Sequence, residues 1–191
     1  MNTTSAKAAR KRLQKDPSSP ERDQRRQLAL RHVRQYPDPV LRRQCVDVTE
    51  FDDELRALAE RMYSIMDDAW GVGLAAPQLG LLLNIFTYRV GESDKPQAMV
   101  NPKIEWSSDE TDIDDEGCLS LGDLRISVSR PVSIKVTGKD LFGEAVSYDL
   151  EGFEARIFQH EIDHLAGVLV FDRAIDDQSR AAALGYLRPK P

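Results

Sequence analysis

Apolar residues recur at helical spacing over residues 51–69 and share one face: Leu55, Leu58, Met62, Ile65 and Met66. Asp52 and Asp53 stand in the first turn, where the helix dipole favours negative charge. Gly71 and Gly73 follow as helix stop signals. The pattern predicts an amphipathic helix over this segment, with its apolar face turned to a core.

The middle of the chain alternates with a period of two and predicts strands. Apolar and β-branched residues fill positions 81–90 and 98–106, and the turn-rich segment GESDKPQ separates them. A polar acidic loop, SSDETDIDDEG, is expected next. Beyond it, apolar residues alternate over 132–136 and again over 146–150, which predicts a β-hairpin.

A second helix is predicted from about Phe153 to Leu165, after the last strand. Strands grouped between two helices, instead of alternating with them, indicate the α+β fold class. We expect one folded domain over residues 33–177. It would be preceded by a basic, disordered or loosely helical tail over 1–32 and followed by a short C-terminal tail over 178–191.

Charge is unevenly spread along the chain. Of 191 residues, 41% are hydrophobic and 30% charged, a composition typical of a globular protein. Residues 1–34 hold ten Lys/Arg and three Asp/Glu, although the whole chain has a net charge of −6. A basic head before an acidic body is typical of a solvated tail, and weak contact with an anionic partner such as ribosomal RNA is the alternative.

The cellular location is inferred from three features of the sequence. Two cysteines make no disulfide framework, no apolar run is long enough to span a bilayer, and no apolar signal segment opens the chain. We therefore expect a cytoplasmic protein. The head has no acidic residue before Asp16 and so also resembles a transit peptide, which makes an organelle the alternative.

The second predicted helix carries the sequence HEIDH, with His160 and His164 four residues apart and Glu161 between them. Residues at this spacing share one helix face, so both imidazoles can bind a single ion. The glutamate is then placed to exchange a proton with water. Since two of only three histidines in the chain match the H-E-x-x-H motif, the segment predicts a metal site.

Spacing alone does not identify the third protein ligand. Protease motifs of this kind continue to a third histidine, but Val170 occupies that position although the motif's glycine, Gly167, is present. The only downstream candidates are Asp172, Asp176 and Asp177, and of these Asp172 and Asp177 fit the pattern of surface acids after a helix. Upstream, Cys118 in DEGCLS is the best candidate for a thiolate ligand, with burial as a small apolar side chain as the alternative. Cys45, the other cysteine of the chain, is a competing candidate for the third ligand.

A third stretch, GVGLAAPQLG at residues 71–80, is glycine-rich and holds one polar side chain, Gln78. It is either a helix end packed closely on a sheet or a substrate-lining segment whose amide donates a hydrogen bond. Without a lysine or a G-x-G-x-x-G pattern, it does not match a phosphate-binding loop.

Together these segments resemble the peptide deformylases. The family's motifs occur in order as GVGLAAPQ, EGCLS and QHEIDH, and the segments YPDPVLR and HLAGVLVFDR are also similar, so the likeness covers about residues 33–175. The resemblance implies a fold in which antiparallel or mixed sheets pack around a central C-terminal helix that carries HEIDH. Gly167 then marks the end of that helix.

The resemblance also implies an activity, the removal of formyl from N-formylmethionine at the N-terminus of newly made polypeptides with release of formate. Three residues would hold one divalent ion: Cys118, His160 and His164. That ion would be ferrous iron in cells, with zinc, nickel or cobalt able to replace it. Water on the ion would attack the formamide with Glu161 as general acid/base, and Gln78 with the backbone N–H of Leu119 would stabilise the oxyanion.

Substrate-binding positions follow from the same resemblance and would line or support the groove: Val72, Gly73, Glu116, Gly117, Arg125, Phe153 and Ile157. Gly122 departs from the proline common in the family and is expected to loosen the backbone beside that groove. The implied partners are N-formylmethionyl nascent peptides, with transient ribosome contact allowed and no DNA or membrane partner. A monomer is expected.

Two other functions compete with a deformylase. The H-E-x-x-H motif alone also suggests an endopeptidase, which would cleave unblocked internal peptide bonds. A metal- or peptide-binding module without catalytic activity is the second alternative. Intact Glu161, Gln78 and Cys118 argue against the inactive module, and Val170 argues against the endopeptidase.

Overall fold

Two antiparallel sheets and four α-helices form the part of the chain described by the computed structural model, residues 20–90 and 97–187. The helices are α1 Pro20–Leu30, α2 Asp53–Asp68, α3 Gly152–Leu165 and α4 Asp177–Tyr186. The strands are β1 Gly73–Ala75, β2 Ile85–Tyr88, β3 Gln97–Ser107, β4 Thr111–Gly117, β5 Arg125–Pro131, β6 Ser133–Lys139 and β7 Ala145–Glu151. Short 3-10 helices occupy Pro39–Arg42, Ala76–Leu79 and Val170–Arg173.

The larger sheet has the strand order β1-β2-β3-β6-β7, and each neighbouring pair is antiparallel. The smaller sheet pairs β4 with β5. The predicted hairpin is confirmed, with Ile134 opposite Leu150 and Val136 opposite Tyr148. The α+β fold class is therefore confirmed. Of the turn predicted between the first two strands, residues 91–96 lie outside the described residues.

The acidic segment before Cys118 is a strand, where the sequence predicted a loop. Its residues form β4 and pair with β5 from Thr111 opposite Pro131 to Gly117 opposite Arg125. Aspartate has low strand propensity, but cross-strand pairing and an exposed outer face override it here. The strand ends directly before Cys118 and so fixes the position of that side chain.

Helix α2 forms as its apolar pattern predicted. The Asp52 side chain caps its first turn by accepting a hydrogen bond from the Leu55 N–H at 3.0 Å. Its buried face includes Met62 and Met66, which are fully buried in the same core cluster as Leu74. This packing holds the start of the glycine-rich segment against the core.

Helix α3 lies at the centre of the molecule and is buried on several sides. Phe158 packs against Phe86 and Tyr88 of the larger sheet, with ring centroids 5.1 and 4.6 Å apart. The helix ends where predicted, since Gly167 has a φ of +73° and a Cβ there would lie 2.7 Å from the Arg42 carbonyl oxygen. The histidine-bearing helix is thus held rigidly by its surroundings.

Folded structure extends beyond the predicted domain at both ends. Residues 20–32 were expected to belong to a disordered or loosely helical tail; α1 forms there and packs on α2, since Ala29 and Val33, four residues apart, are buried. Residues 1–19 of the expected tail lie outside the described residues. The expected C-terminal tail is helical as α4, with Ala183 buried. No helix in the described residues is long and apolar enough to cross a membrane.

Candidate metal centre

Cys118, His160 and His164 come together at one point. A ligand atom from each lies within 4.8 Å of the other two, and Cys118 Sγ is 3.2 Å from His164 Nε2. Ligands bound to one ion at tetrahedral geometry lie roughly 3.3–3.6 Å from one another, so the three residues fit a single divalent ion. Helix α3 supplies both imidazoles, and the end of β4 supplies the thiol.

The chemistry of the surroundings also fits an ion. Burial alone would lower the pKa of His160, but its bonds to Cys118 and Glu116 raise that pKa well above its ordinary value. Burial and the neighbouring His160 hold the pKa of His164 well below its ordinary value. His164 is therefore a neutral ligand already, whereas His160 would release its proton when a cation binds.

Glu161 is 4% exposed, and its carboxyl group lies directly against Gly73. A Cβ at Gly73 would be only 2.2 Å from Glu161 Oε1, so a larger residue has no room there. Burial raises the pKa of Glu161 to about 7, a value at which a carboxyl group can both accept and return a proton near neutral pH. A bound cation would lower that pKa. Glu161 Oε2 is buried without a hydrogen-bond partner among the described residues.

Gln78 points its amide group at the sulfur of Cys118. Its Oε1 accepts a hydrogen bond from the Ala75 N–H at 2.9 Å, which turns the NH₂ group toward the site. Nε2 then lies 3.6 Å from Cys118 Sγ and donates to Ser120 Oγ at 3.2 Å. With the side chain 2% exposed, the direction of this donor is fixed by its partners.

Glu116 lies behind the ligands in a buried ion network. Its two carboxylate oxygens accept hydrogen bonds from Arg130 at 2.6 and 2.9 Å and from Arg156 at 2.9 Å, and one lies 2.9 Å from His160 Nδ1. Burial would raise its pKa, but the bonds from His160 and Arg130 hold it well below the ordinary value. The carboxylate thus orients the imidazole and directs Nε2 to the ion.

This placement bears on Glu116, which the resemblance expected either to line or to support the groove. Glu116 was expected among the substrate-binding residues, but it is only 6% exposed and its oxygens are occupied by Arg130, Arg156 and His160. A carboxylate with these partners is not available to a peptide. Its role is to position a ligand.

Comparison with known proteins agrees with this geometry. The family model described as polypeptide deformylase matches residues 30–180. A peptide deformylase of Thermotoga neapolitana is 46% identical over 141 residues, which cover 74% of this chain and 85% of the relative. The chain belongs to the peptide deformylase family.

Relatives and solved structures come from bacteria and from plants. Peptide deformylase 1B of Arabidopsis thaliana, named chloroplastic/mitochondrial, is 43% identical over 145 residues, 74% of this chain and 53% of the relative. A crystal structure of that plant enzyme with an inhibitor superposes with a TM-score of 0.77 at 40% identity, over 82% of this chain and 87% of the other. The Thermotoga maritima enzyme has a TM-score of 0.72 at 42% identity, over 75% and 97%.

The other residues expected to bind substrate surround this deformylase centre. Val72, Phe153 and Ile157 belong to one apolar cluster packed around α3. Gly117 and Arg125 are exposed and face each other, since a Cβ at Gly117 would lie 3.2 Å from the Arg125 guanidinium carbon. Gly117 directly precedes Cys118, and Phe153 and Ile157 lie on the helix that carries both histidines.

The alternative third ligands have other partners. Half-buried Cys45 is outside the ligand cluster, and its N–H donates to the Leu165 carbonyl at 2.9 Å. Asp172 pairs with Arg42 and Arg180. Asp176 caps α4. Cys118 is therefore the third ligand of this deformylase.

Sequence reasoning missed the residues that complete the ion network. Asp163, inside HEIDH, accepts from Arg130 at 2.8 Å and from Arg173 at 2.6 Å. Arg156 stands one turn before the histidines on α3 and reaches Glu116. The sequence offered one signal for these residues, namely charged side chains at helix positions that are otherwise buried. Buried charges in proteins are usually paired, so such positions indicate ion pairs.

Proposed function

We propose that this deformylase removes the formyl group from N-formylmethionine at the N-terminus of newly made polypeptides and releases formate. The observation that carries the proposal is the convergence of the Cys118, His160 and His164 ligands with the Glu161 carboxyl and the Gln78 amide. A divalent ion held by Cys118, His160 and His164 would supply Lewis-acid chemistry, polarising the formyl oxygen and lowering the pKa of water.

Glu161 is the general acid/base of the proposed reaction. Its carboxylate accepts a proton from the attacking water and returns it to the amine that leaves. Contact with Gly73 fixes the carboxyl group in place beside the ligands. The support is that this group is buried beside the ligands with one oxygen unpartnered among the described residues.

Gln78 and the backbone N–H of Leu119 are the proposed donors to the oxyanion. The Ala75 N–H holds the Gln78 amide in the required orientation, and Leu119 directly follows the thiolate ligand. Donors held in place before reaction stabilise developing negative charge, by about 3–4 kcal/mol per donor. The apolar side chains of Val72, Phe153 and Ile157 form the proposed methionine pocket.

The proposed metal in cells is ferrous iron. One thiolate and two imidazoles suit iron as well as zinc. Protein purified without oxygen is expected to contain close to one iron per chain, measured by elemental analysis. Stoichiometric zinc with no iron from the same preparation would contradict this assignment.

Cytoplasmic location is also proposed, with an organelle as the alternative, since the relatives include a chloroplastic/mitochondrial enzyme.

Formate release from a formyl-Met-Ala-Ser peptide by anaerobically purified, metal-loaded protein tests the function. We expect turnover on the formylated peptide and none on the same peptide with an acetyl or a free amino terminus. Cleavage of internal peptide bonds would indicate an endopeptidase instead. A fully metal-loaded chain that releases no formate would be an inactive binding module, and the proposal would be wrong.

A further inference from the structure

Helix α1 precedes the region matched by the family model, which begins at residue 30. One of its residues nevertheless lies between two segments of the active site. The Arg26 guanidinium carbon is 5.1 Å from the centroid of the Trp70 ring, and Arg26 Nη2 is 3.8 Å from Asp123 Oδ1. Arg22 adds a second guanidinium 5.8 Å from the same ring.

Trp70 and Asp123 belong to the two segments that flank the metal centre. We call residues 70–73 the glycine rim, and it ends at the glycine that receives the Glu161 carboxyl. We call residues 117–123 the cysteine rim, and it contains the thiolate ligand. The rims meet beside the ligands, since a Cβ at Gly71 would be 3.0 Å from Leu119 Cδ1.

The chain that follows α1 also joins both sides of the site. The Arg34 N–H donates to the Gln78 carbonyl at 2.6 Å, next to the glycine rim. The Gln35 amide donates to the Leu119 carbonyl at 2.9 Å, on the cysteine rim. Since Ala29 and Val33 anchor this element in the core, α1 is a fixed support and not a loose extension.

The cysteine rim needs such a support. Gly122 adopts a φ of +65°, and apart from its two chain neighbours no atom of the described residues lies within 4 Å of the position that its Cβ would take. The neighbouring Asp123 side chain is 90% exposed, so the end of this rim has little packing. An ion pair to a residue of a docked helix restrains the loop from outside.

We propose that Arg26 is a positioning residue that holds the two rims at a fixed separation and thereby tunes the binding of the peptide beyond its formylmethionine. The inference rests on the proposed function, which places Val72 of the glycine rim in the methionine pocket and the Leu119 N–H of the cysteine rim at the oxyanion. A guanidinium suits this role because it stacks on an aromatic ring and pairs with a carboxylate at once.

Steady-state kinetics on two substrates tests the inference. One substrate is N-formylmethionine amide, which ends at the methionine, and the other is a formyl-Met tetrapeptide, which extends along the groove. Arg26→Ala is expected to raise KM for the tetrapeptide about three- to tenfold, since exposed ion pairs and cation–π contacts are individually modest. The kcat and the KM for the amide are expected to change less than twofold.

Asp123→Asn provides a second variant that keeps the fold, because its side chain is 90% exposed. It should raise the tetrapeptide KM in the same direction. The double variant should show less than the product of the two single effects, as expected for residues that act through one contact. Arg26→Lys, which keeps the charge without the planar group, should recover part of the loss. Arg25→Ala, at an exposed position of the same helix, is the matched control and should change nothing.

Three outcomes would overturn the inference. They are equal KM changes on both substrates, multiplicative effects in the double variant, and no effect of Asp123→Asn. Failure of the proposed function would look different, because the unsubstituted protein would then release no formate from either substrate.

Discussion

Helix α3 supplies His160, Glu161 and His164 from little more than one turn, whereas Cys118 and Gln78 come from separate segments 40 residues apart. The first group, the helix half of the centre, owes its spacing to helical geometry alone. The second group, the strand half, is placed by β4 and by the glycine-rich segment. A site assembled this way needs the two halves to meet within a few tenths of an ångström.

The two halves are not equal partners in setting the geometry. Glu116, on β4, orients the His160 ring, and Gly73, on β1, makes room for the Glu161 carboxyl. The helix half therefore provides both imidazoles and the Glu161 carboxyl, and the strand half fixes their orientation as well as supplying Cys118 and Gln78. Changes in the strand half should then disturb chemistry that is carried by the helix half.

The largest expected effect comes from the helix half itself. Glu161→Gln removes the proton acceptor but leaves the three ligands, so kcat should fall by about 10²–10⁴-fold. Metal analysis of the purified variant should still find one ion per chain. Glu151→Gln, at the exposed residue before the same helix, is the control and should keep full activity. Near-normal turnover in Glu161→Gln would remove the residue from the mechanism.

Glu116→Gln breaks the link between the halves and is expected to cost about 3–5 kcal/mol of unfolding free energy, because it removes the carboxylate charge that buried Arg130 and Arg156 share. Metal affinity should also fall about 10–100-fold, as His160 loses its orienting group. Denaturant unfolding and metal titration measure the two effects. Asp115→Asn is the matched control. The Asp115 side chain is next to Glu116 in sequence but exposed, so this substitution should lower the unfolding free energy by less than about 1 kcal/mol.

Gly73→Ala tests whether the strand half positions the Glu161 carboxyl. The added methyl group would lie 2.2 Å from Oε1 and must displace it, so kcat should fall by up to about 100-fold with the metal retained. Gly185→Ala places the same methyl group in open space on α4 and should leave kcat unchanged. An unchanged kcat in Gly73→Ala would show that the helix half sets the position of Glu161 by itself.

The smallest effect is expected at the exposed edge of the ion network. Arg173 pairs with Asp163 at 2.6 Å, but its side chain is 51% exposed, whereas Arg130 pairs with the same aspartate while buried. Arg173→Ala should therefore lower the unfolding free energy by less than about 1 kcal/mol. A loss as large as that of Glu116→Gln would mean that the network depends on its outer members as much as on its centre.

Periodic patterns predicted the parts of the fold that depend on local sequence. The α2 helix, the β6–β7 hairpin and the histidine-bearing helix were all placed within a few residues of their observed bounds. Two segments differ from a simple reading of their charge: the acidic strand β4, which was predicted to be a loop, and the basic tail, predicted to be disordered or loosely helical, which contains the packed helix α1. Both segments are rich in charged residues, yet β4 pairs with β5 and α1 packs on α2 through a buried face. These contacts depend on the neighbouring element, so the local sequence does not predict them.

The sequence by itself determined the chemistry of this protein. Helical spacing put His160, Glu161 and His164 on one face, and a handful of short motifs carried the resemblance to the deformylases. Tertiary structure alone decided the roles that need partners from several elements, such as the carboxylate of Glu116 held by two arginines and turned to His160. The physical reason is that helical periodicity acts over four residues, whereas a buried ion network forms only when distant strands and a helix have closed around it.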